Sequence, residues 1–162
     1  MDLMELPMEI QKTTAAGPSQ TYILCGIAGT TYAVHSYKVR HLEMVEDITS
    51  VPNAPPSVDG VVFSRGQVVP VINLRVRFGF ERAPRDLRTR LLVVEVGGRL
   101  VGLLVDEARD FVAIADAAIH PPGQGIGGLS SNYLEGVSTI GDRIVLILNI
   151  NDMVEAVPTA AA

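Results

Sequence analysis

The sequence predicts an all-β protein, a barrel or a sandwich, and three observations carry that prediction. Val occurs 21 times and Ile 12 times in 162 residues, against 4 Phe and 4 Tyr. β-Branched side chains favour strands. They arrive in short runs bounded by Gly, Pro or charge, as strands do. Turn-forming pairs such as Gly97-Gly98 and Gly141-Asp142 separate several of the runs, which is hairpin spacing.

The elements follow in chain order. Tyr22–Ile27 and Thr31–His35 flank Ala28-Gly29-Thr30 and form a first hairpin. Ser36 caps a short turn through Val39 and His41. Val61–Phe63 and Val68–Leu74 flank Ser64-Arg65-Gly66-Gln67. Pro70 in the return run has no N–H to donate, which predicts an edge position or a bulge. Leu91–Val96 and Arg99–Asp106 flank Gly97-Gly98, where both positions tolerate positive φ. Gly136–Ile140 and Arg143–Ile150 flank Gly141-Asp142. Asn151 or Asp152 caps a short helix through Val157, and Pro158 with the alanine tail ends the ordered chain.

Three stretches read as loops: Pro52–Asp59, Arg75–Arg90 and Pro121–Gly128. The middle one lies near the centre of the chain. It suggests two small barrels with a division near 75–90, although no internal repeat shows at residue level. Residues 1–19 and 158–162 read as flexible tails.

Composition excludes several classes. The single Cys25 rules out a disulfide framework and a cysteine-rich zinc site. Thirteen basic against eighteen acidic residues leave a charge of -5, where a dedicated nucleic-acid binder carries a basic excess. No run reaches about 18 apolar residues, so no spanning helix and no direct membrane insertion are expected. A cytoplasmic location follows as an expectation.

Catalytic and ligand motifs fail one by one. Gly123, Gly125 and Gly128 satisfy a G-x-G-x-x-G pattern, but no strand precedes them and no helix follows, as a phosphate cradle requires. His35, His41 and His120 lack metal-ligand spacing. Cys25 reads as a small buried hydrophobe. Asp106-Glu107 and Glu46-Asp47 point to opposite faces of a strand and read as solvated edges rather than acid–base pairs. Neither an enzyme nor a cofactor is expected.

Six of the thirteen basic residues, Arg75, Arg77, Arg82, Arg85, Arg88 and Arg90, cluster with Phe78 and Phe80. The alternative function this raises is a small β-barrel that binds single-stranded nucleic acid through a basic groove and stacked aromatics. A solvated loop partly neutralised by Glu81 and Asp86 is the competing reading.

One motif remains. Gly60–Leu74 is a strand, a tight turn that lifts Arg65 to its tip with Gly66 at positive φ, and an apolar return strand, approached through Val51-Pro52 and Pro55. This run resembles the signature of the CheW family of chemotaxis adaptors, with Arg65-Gly66 at the turn, then Val69-Pro70-Val71 and Leu74. The likeness continues through Leu91–Asp106, Tyr133–Gly136, Gly141–Ile144 and Leu148–Ile150, covering about residues 20–157. Phe63 and Ser64 stand where the family usually has Asn and Leu.

The resemblance implies two intertwined five-stranded SH3-like barrels and little helix. It implies no enzymatic activity. It implies an adaptor joining a methyl-accepting chemoreceptor's cytoplasmic tip to the regulatory domain of a CheA-type histidine kinase, within membrane-associated arrays. Arg65, Gly66 and Glu43 match the receptor-binding positions. For the kinase contact, Val76, Phe78 and Phe80 are the candidates, alternating with Arg77 and Gly79. On a strand they share one face.

Overall fold

The computed structural model describes residues 17–122 and 133–155. The segment 123–132, with its glycine motif, and most of both expected tails lie outside the described residues. Ten strands make up most of what is described: β1 (Ser19–Ile27), β2 (Thr30–His35), β3 (Val39–Met44), β4 (Val58–Ser64), β5 (Gln67–Asn73), β6 (Arg90–Val96), β7 (Arg99–Val105), β8 (Glu107–Ala115), β9 (Leu134–Ile140) and β10 (Arg143–Leu148). Two short helices, α1 (Leu74–Arg77) and α2 (Ile150–Glu155), and 3-10 turns at Ser36–Lys38 and Asp116–Ala118 complete it.

All four expected hairpins form, as β1–β2, β4–β5, β6–β7 and β9–β10. Their turns carry positive φ at Ala28-Gly29, Arg65-Gly66, Gly97-Gly98 and Gly141. That backbone matches the right-handed twist of the flanking strands. Pro70 is buried in the interior strand β5 rather than at the expected edge or a bulge; it lies opposite Val61 on β4, and the parallel pairing of β5 with β7 starts only at Val71. The proline therefore sits where its missing N–H removes no ladder bond.

The strands form two five-stranded sheets, β8-β1-β2-β10-β9 and β3-β6-β7-β5-β4. Each sheet curls until its edges meet. Thr49, just beyond β3, bridges Val61 of β4, and His120, just beyond β8, bridges Val137 of β9. Glycines permit these closures. A Cβ on Gly60 would lie 2.1 Å from the Thr49 carbonyl oxygen, and one on Gly136 would lie 2.5 Å from Ile119.

The expected division near 75–90 is corrected by this topology. Residues 78–89 connect β5 to β6, which belong to the same sheet. The chain changes sheets instead at Ser36–Lys38 and at Asp106. The same succession occurs twice: a hairpin, a single strand, a second hairpin and a helix, from β1 to α1 and again from β6 to α2. Each barrel combines the first hairpin of one succession with the remaining strands of the other, so the two are interlocked. The central parallel pairs β5–β7 and β2–β10 stitch the two successions together.

Burial follows this arrangement. A central apolar cluster between the sheets draws on Ile23, Tyr32, Leu74, Phe78, Leu103, Leu148 and Met153. Smaller clusters fill the barrel interiors, one around Tyr22, Val112 and Ile147, the other around Val62, Val71 and Leu91. Cys25 is fully buried in the central cluster, and loss of hydration pushes its thiol up to about 12.

Candidate functional site

The β4–β5 turn places Arg65 in the solvent. Arg65 has a φ of 48° and Gly66 a φ of 86°. A two-residue hairpin loop of this twist needs positive φ at both positions, and Arg65 adopts it despite its Cβ. Its side chain is exposed, and among the described residues no carboxylate pairs with it.

Glu43 reaches the same region from β3. A cleft of about 330 Å³ is lined by Glu43, Met44, Asp47, Phe63 and Arg65, among others. The tertiary fold thus brings Arg65 and Glu43 to one cleft. It does not bond them to each other. Glu43 is half-buried and accepts a hydrogen bond from Ser64 Oγ at 2.6 Å. Ser64 is only 4% exposed, so this oriented carboxylate is an internal feature of the cleft wall. Sequence reading noted Ser64 only as a departure from the family pattern. A contact between strands at opposite edges of a sheet leaves no local signal.

The second candidate surface is corrected. Residues 74–77 form a helical turn rather than a strand, because the Asn73 side chain accepts from the N–H groups of Arg75 and Val76. Val76, Phe78 and Phe80 therefore share no strand face. Phe78 is 9% exposed and packs on Tyr32, with ring centroids 5.2 Å apart, and on Tyr133. Val76 is half-buried, and Phe80 stays in part exposed. Among the described residues, Phe111 on β8 and Ile144 on β10 are large apolar side chains left exposed on the other barrel. A cleft lined by Arg109, Asp110, Asp142 and Arg143 lies between their chain neighbours.

The arginine cluster is internally engaged. Arg75 Nε donates to Asp106 at 2.9 Å, Arg82 pairs with Asp59, and Arg88 pairs with Asp86. Arg85 and Arg90 donate to backbone carbonyls, and Arg77 lies over the Tyr133 ring. Asp86 is held below its ordinary range by bonds from the Arg88 backbone and side chain. The guanidinium groups brace the 78–89 loop rather than lining an open basic groove.

Asp106 is likewise more than a solvated edge. Its carboxylate accepts from Ala28 N–H at 2.8 Å and from Arg75 Nε at 2.9 and 3.1 Å, while its own N–H donates to the Gly26 carbonyl. At the crossing from β7 to β8, it ties the β1–β2 turn of one barrel to α1 of the other. Among the described residues no group of three His, Cys, Asp or Glu is placed to hold a metal, and no helix is long and apolar enough to cross a membrane.

Comparison with known proteins bears on the fold and the family. A family profile for the CheW-like domain matches residues 21–157. The chain is 30% identical over 156 residues to the chemotaxis protein CheW of Helicobacter pylori, spanning 91% of this chain and 93% of that one. It is 26% identical over 147 residues to the chemotaxis protein CheW of Klebsiella aerogenes, spanning 91% and 89%. The crystal structure of the scaffolding protein TtCheW from Thermoanaerobacter tengcongensis has the same fold. It superposes with a TM-score of 0.79 at 24% identity over 86% of this chain and 94% of that one.

Proposed function

The chain belongs to the CheW-like domain family of chemotaxis adaptors, and we propose that it joins a methyl-accepting chemoreceptor's cytoplasmic tip to the regulatory domain of a CheA-type histidine kinase, without catalysis of its own. In this role it is recruited to membrane-associated receptor arrays. The carrying observation is Arg65, raised on a two-residue turn beside Glu43 and, among the described residues, without a carboxylate partner. An unpaired guanidinium with a fixed backbone suits bidentate capture of a partner carboxylate. The kinase contact is assigned to the barrel that carries Phe111 and Ile144, where large apolar groups meet water beside a mixed-charge cleft. The alternative of a nucleic-acid-binding barrel draws no support, since the arginines that suggested it are engaged within the protein.

Co-sedimentation with receptor-tip and kinase regulatory-domain fragments tests the reading. The wild type should form a ternary complex, Arg65→Ala should lose the receptor, and Phe111→Ser with Ile144→Ser should lose the kinase fragment. A wild type that binds neither fragment refutes it.

A further inference from the structure

We propose that residues 79–88 form an electrostatic strap, a segment laced to both barrels by arginine side chains. It opens as one unit while the sheets stay folded, and it opens more readily when anions screen those contacts. The device stands whichever partners the adaptor joins.

Every residue from Gly79 to Arg88 is exposed, and none belongs to the three apolar clusters. The flanks are fixed, since Phe78 packs in the central cluster and Thr89 is buried. Backbone–backbone bonds hold the segment only at its ends. Gly79 N–H donates to the Val76 carbonyl and Phe80 N–H to the Arg75 carbonyl, at 3.0 and 2.7 Å, and Thr89 N–H donates to the Asp86 carbonyl at 3.2 Å.

Between those ends the tethers are guanidinium groups. Arg82 donates from Nε to Asp59 Oδ1 at 2.8 Å and from Nη2 to the Pro56 carbonyl at 2.6 Å. Arg85 Nη1 donates to the Glu46 carbonyl at 2.9 Å. From α1, Arg75 Nη1 donates to the Glu81 carbonyl at 3.3 Å. Arg88 Nη1 lies 3.7 Å from Glu107 Oε2. Asp59 belongs to β4 of one barrel and Glu107 to β8 of the other.

A segment with no buried apolar side chain opens far more easily than the sheets beneath it. Exposed ion pairs are individually weak and are screened by salt, so the tethers hold the strap closed only together. Arg82 is the buckle. Its fork reaches a carboxylate and a carbonyl through different nitrogens, a geometry that the single ammonium of lysine does not reproduce. The strap also walls a cleft of about 640 Å³, which Ile48, Val58 and Leu104 line from the barrel and Arg82, Pro84 and Arg85 from the strap. Opening removes that second group, widens access to Val58 and Leu104, and frees Arg82 and Arg85 for an anion.

Amide hydrogen exchange of the full chain, resolved by residue, tests the device. Arg82→Ala and, separately, Arg85→Ala should quicken exchange at both Phe80 and Thr89 about fivefold or more, while the amides of β6 keep the wild-type rate. Arg82→Lys should behave as Arg82→Ala does. Raising sodium chloride from about 0.05 to about 0.5 M should quicken the wild type at the same two amides, and Arg82→Ala less. Unchanged exchange in both alanine variants would show that the arginines do not hold the segment. Quickening at one end only, or equal quickening in β6, would overturn a separate unit. A wild-type rate in Arg82→Lys would remove the fork, and indifference to salt would remove the response to anions.

Discussion

Ser64 Oγ donates to Glu43 Oε2 at 2.6 Å, joining β4 and β3, which stand at opposite ends of the order β3-β6-β7-β5-β4. The bond closes the barrel beside the Arg65 turn. It also engages the Glu43 carboxylate, which the family resemblance groups with Arg65 and Gly66. Glu43 thereby shapes the cleft wall, and among the described residues no carboxylate pairs with Arg65.

Removing that donor should be felt locally. Ser64→Ala should cost about 1–2 kcal/mol, the scale of one hydrogen bond to a charged group that keeps some access to water. Urea denaturation midpoints at constant slope provide the measurement. A loss below about 0.3 kcal/mol would show that water replaces the hydroxyl.

Glu43 and Arg65 should act nearly independently in receptor binding. A double-mutant cycle should give coupling below about 0.5 kcal/mol, because Ser64 engages Glu43. In a Ser64→Ala background the freed carboxylate should couple to Arg65 more strongly. Arg65→Ala alone should alter folding stability by no more than about 0.5 kcal/mol, as expected at an exposed position.

Phe78 and Phe80 should separate cleanly. Phe78→Ala opens a cavity against Tyr32 and Tyr133 in the central cluster, and should cost about 3 kcal/mol or more. Phe80→Ala, at a side chain 39% exposed, should cost clearly less. Equal falls in melting temperature would contradict this placement.

Asp106 should hold the two barrels in register. Asp106→Ala strands the Ala28 N–H and Arg75, and should cost about 1–3 kcal/mol. Asp106→Asn keeps an acceptor and should cost less. Hydrogen exchange should quicken at Ala28 in the alanine variant, and unchanged exchange there would remove Asp106 from this role.

Alkali should destabilise the fold through buried acids. Burial, then the nearby Glu135, raises Tyr22 from 10.0 to about 12, and burial raises Cys25 from 9.0 to about 12. In both cases the fold favours the protonated form. The corresponding stability is complete below about pH 9 and is lost as pH rises towards 12. The melting temperature should fall through that interval, and less steeply in Cys25→Ala. Native Cys25 should stay inert to a thiol reagent at pH 8 and react on unfolding.

The strands and turns were legible because they depend on near neighbours. Val/Ile runs and pairs such as Gly97-Gly98 specify extended backbone and tight reversals within a few residues. The helical turn at Leu74–Arg77 was misread because alternation of Val76, Phe78 and Phe80 mimics a strand. Asn73 carried the contrary signal as an N-cap. Of the candidate site, Arg65 and Gly66 could be read from a local turn, and family likeness pointed to Glu43.

By itself, then, the sequence determined an all-β chain of four hairpins with Arg65 at one tip. Only the tertiary structure decided which hairpins share a barrel. Strands such as β2 and β10 are buried along most of their length, so their sequences lack the in–out alternation that would name a face or a partner. The contacts that close the structure join residues far apart in the chain. Ser64 lies 21 residues from Glu43, and Ala28 lies 78 from Asp106. Such bonds arise from strand order and register, which similar Val- and Ile-rich runs leave open until they pack together.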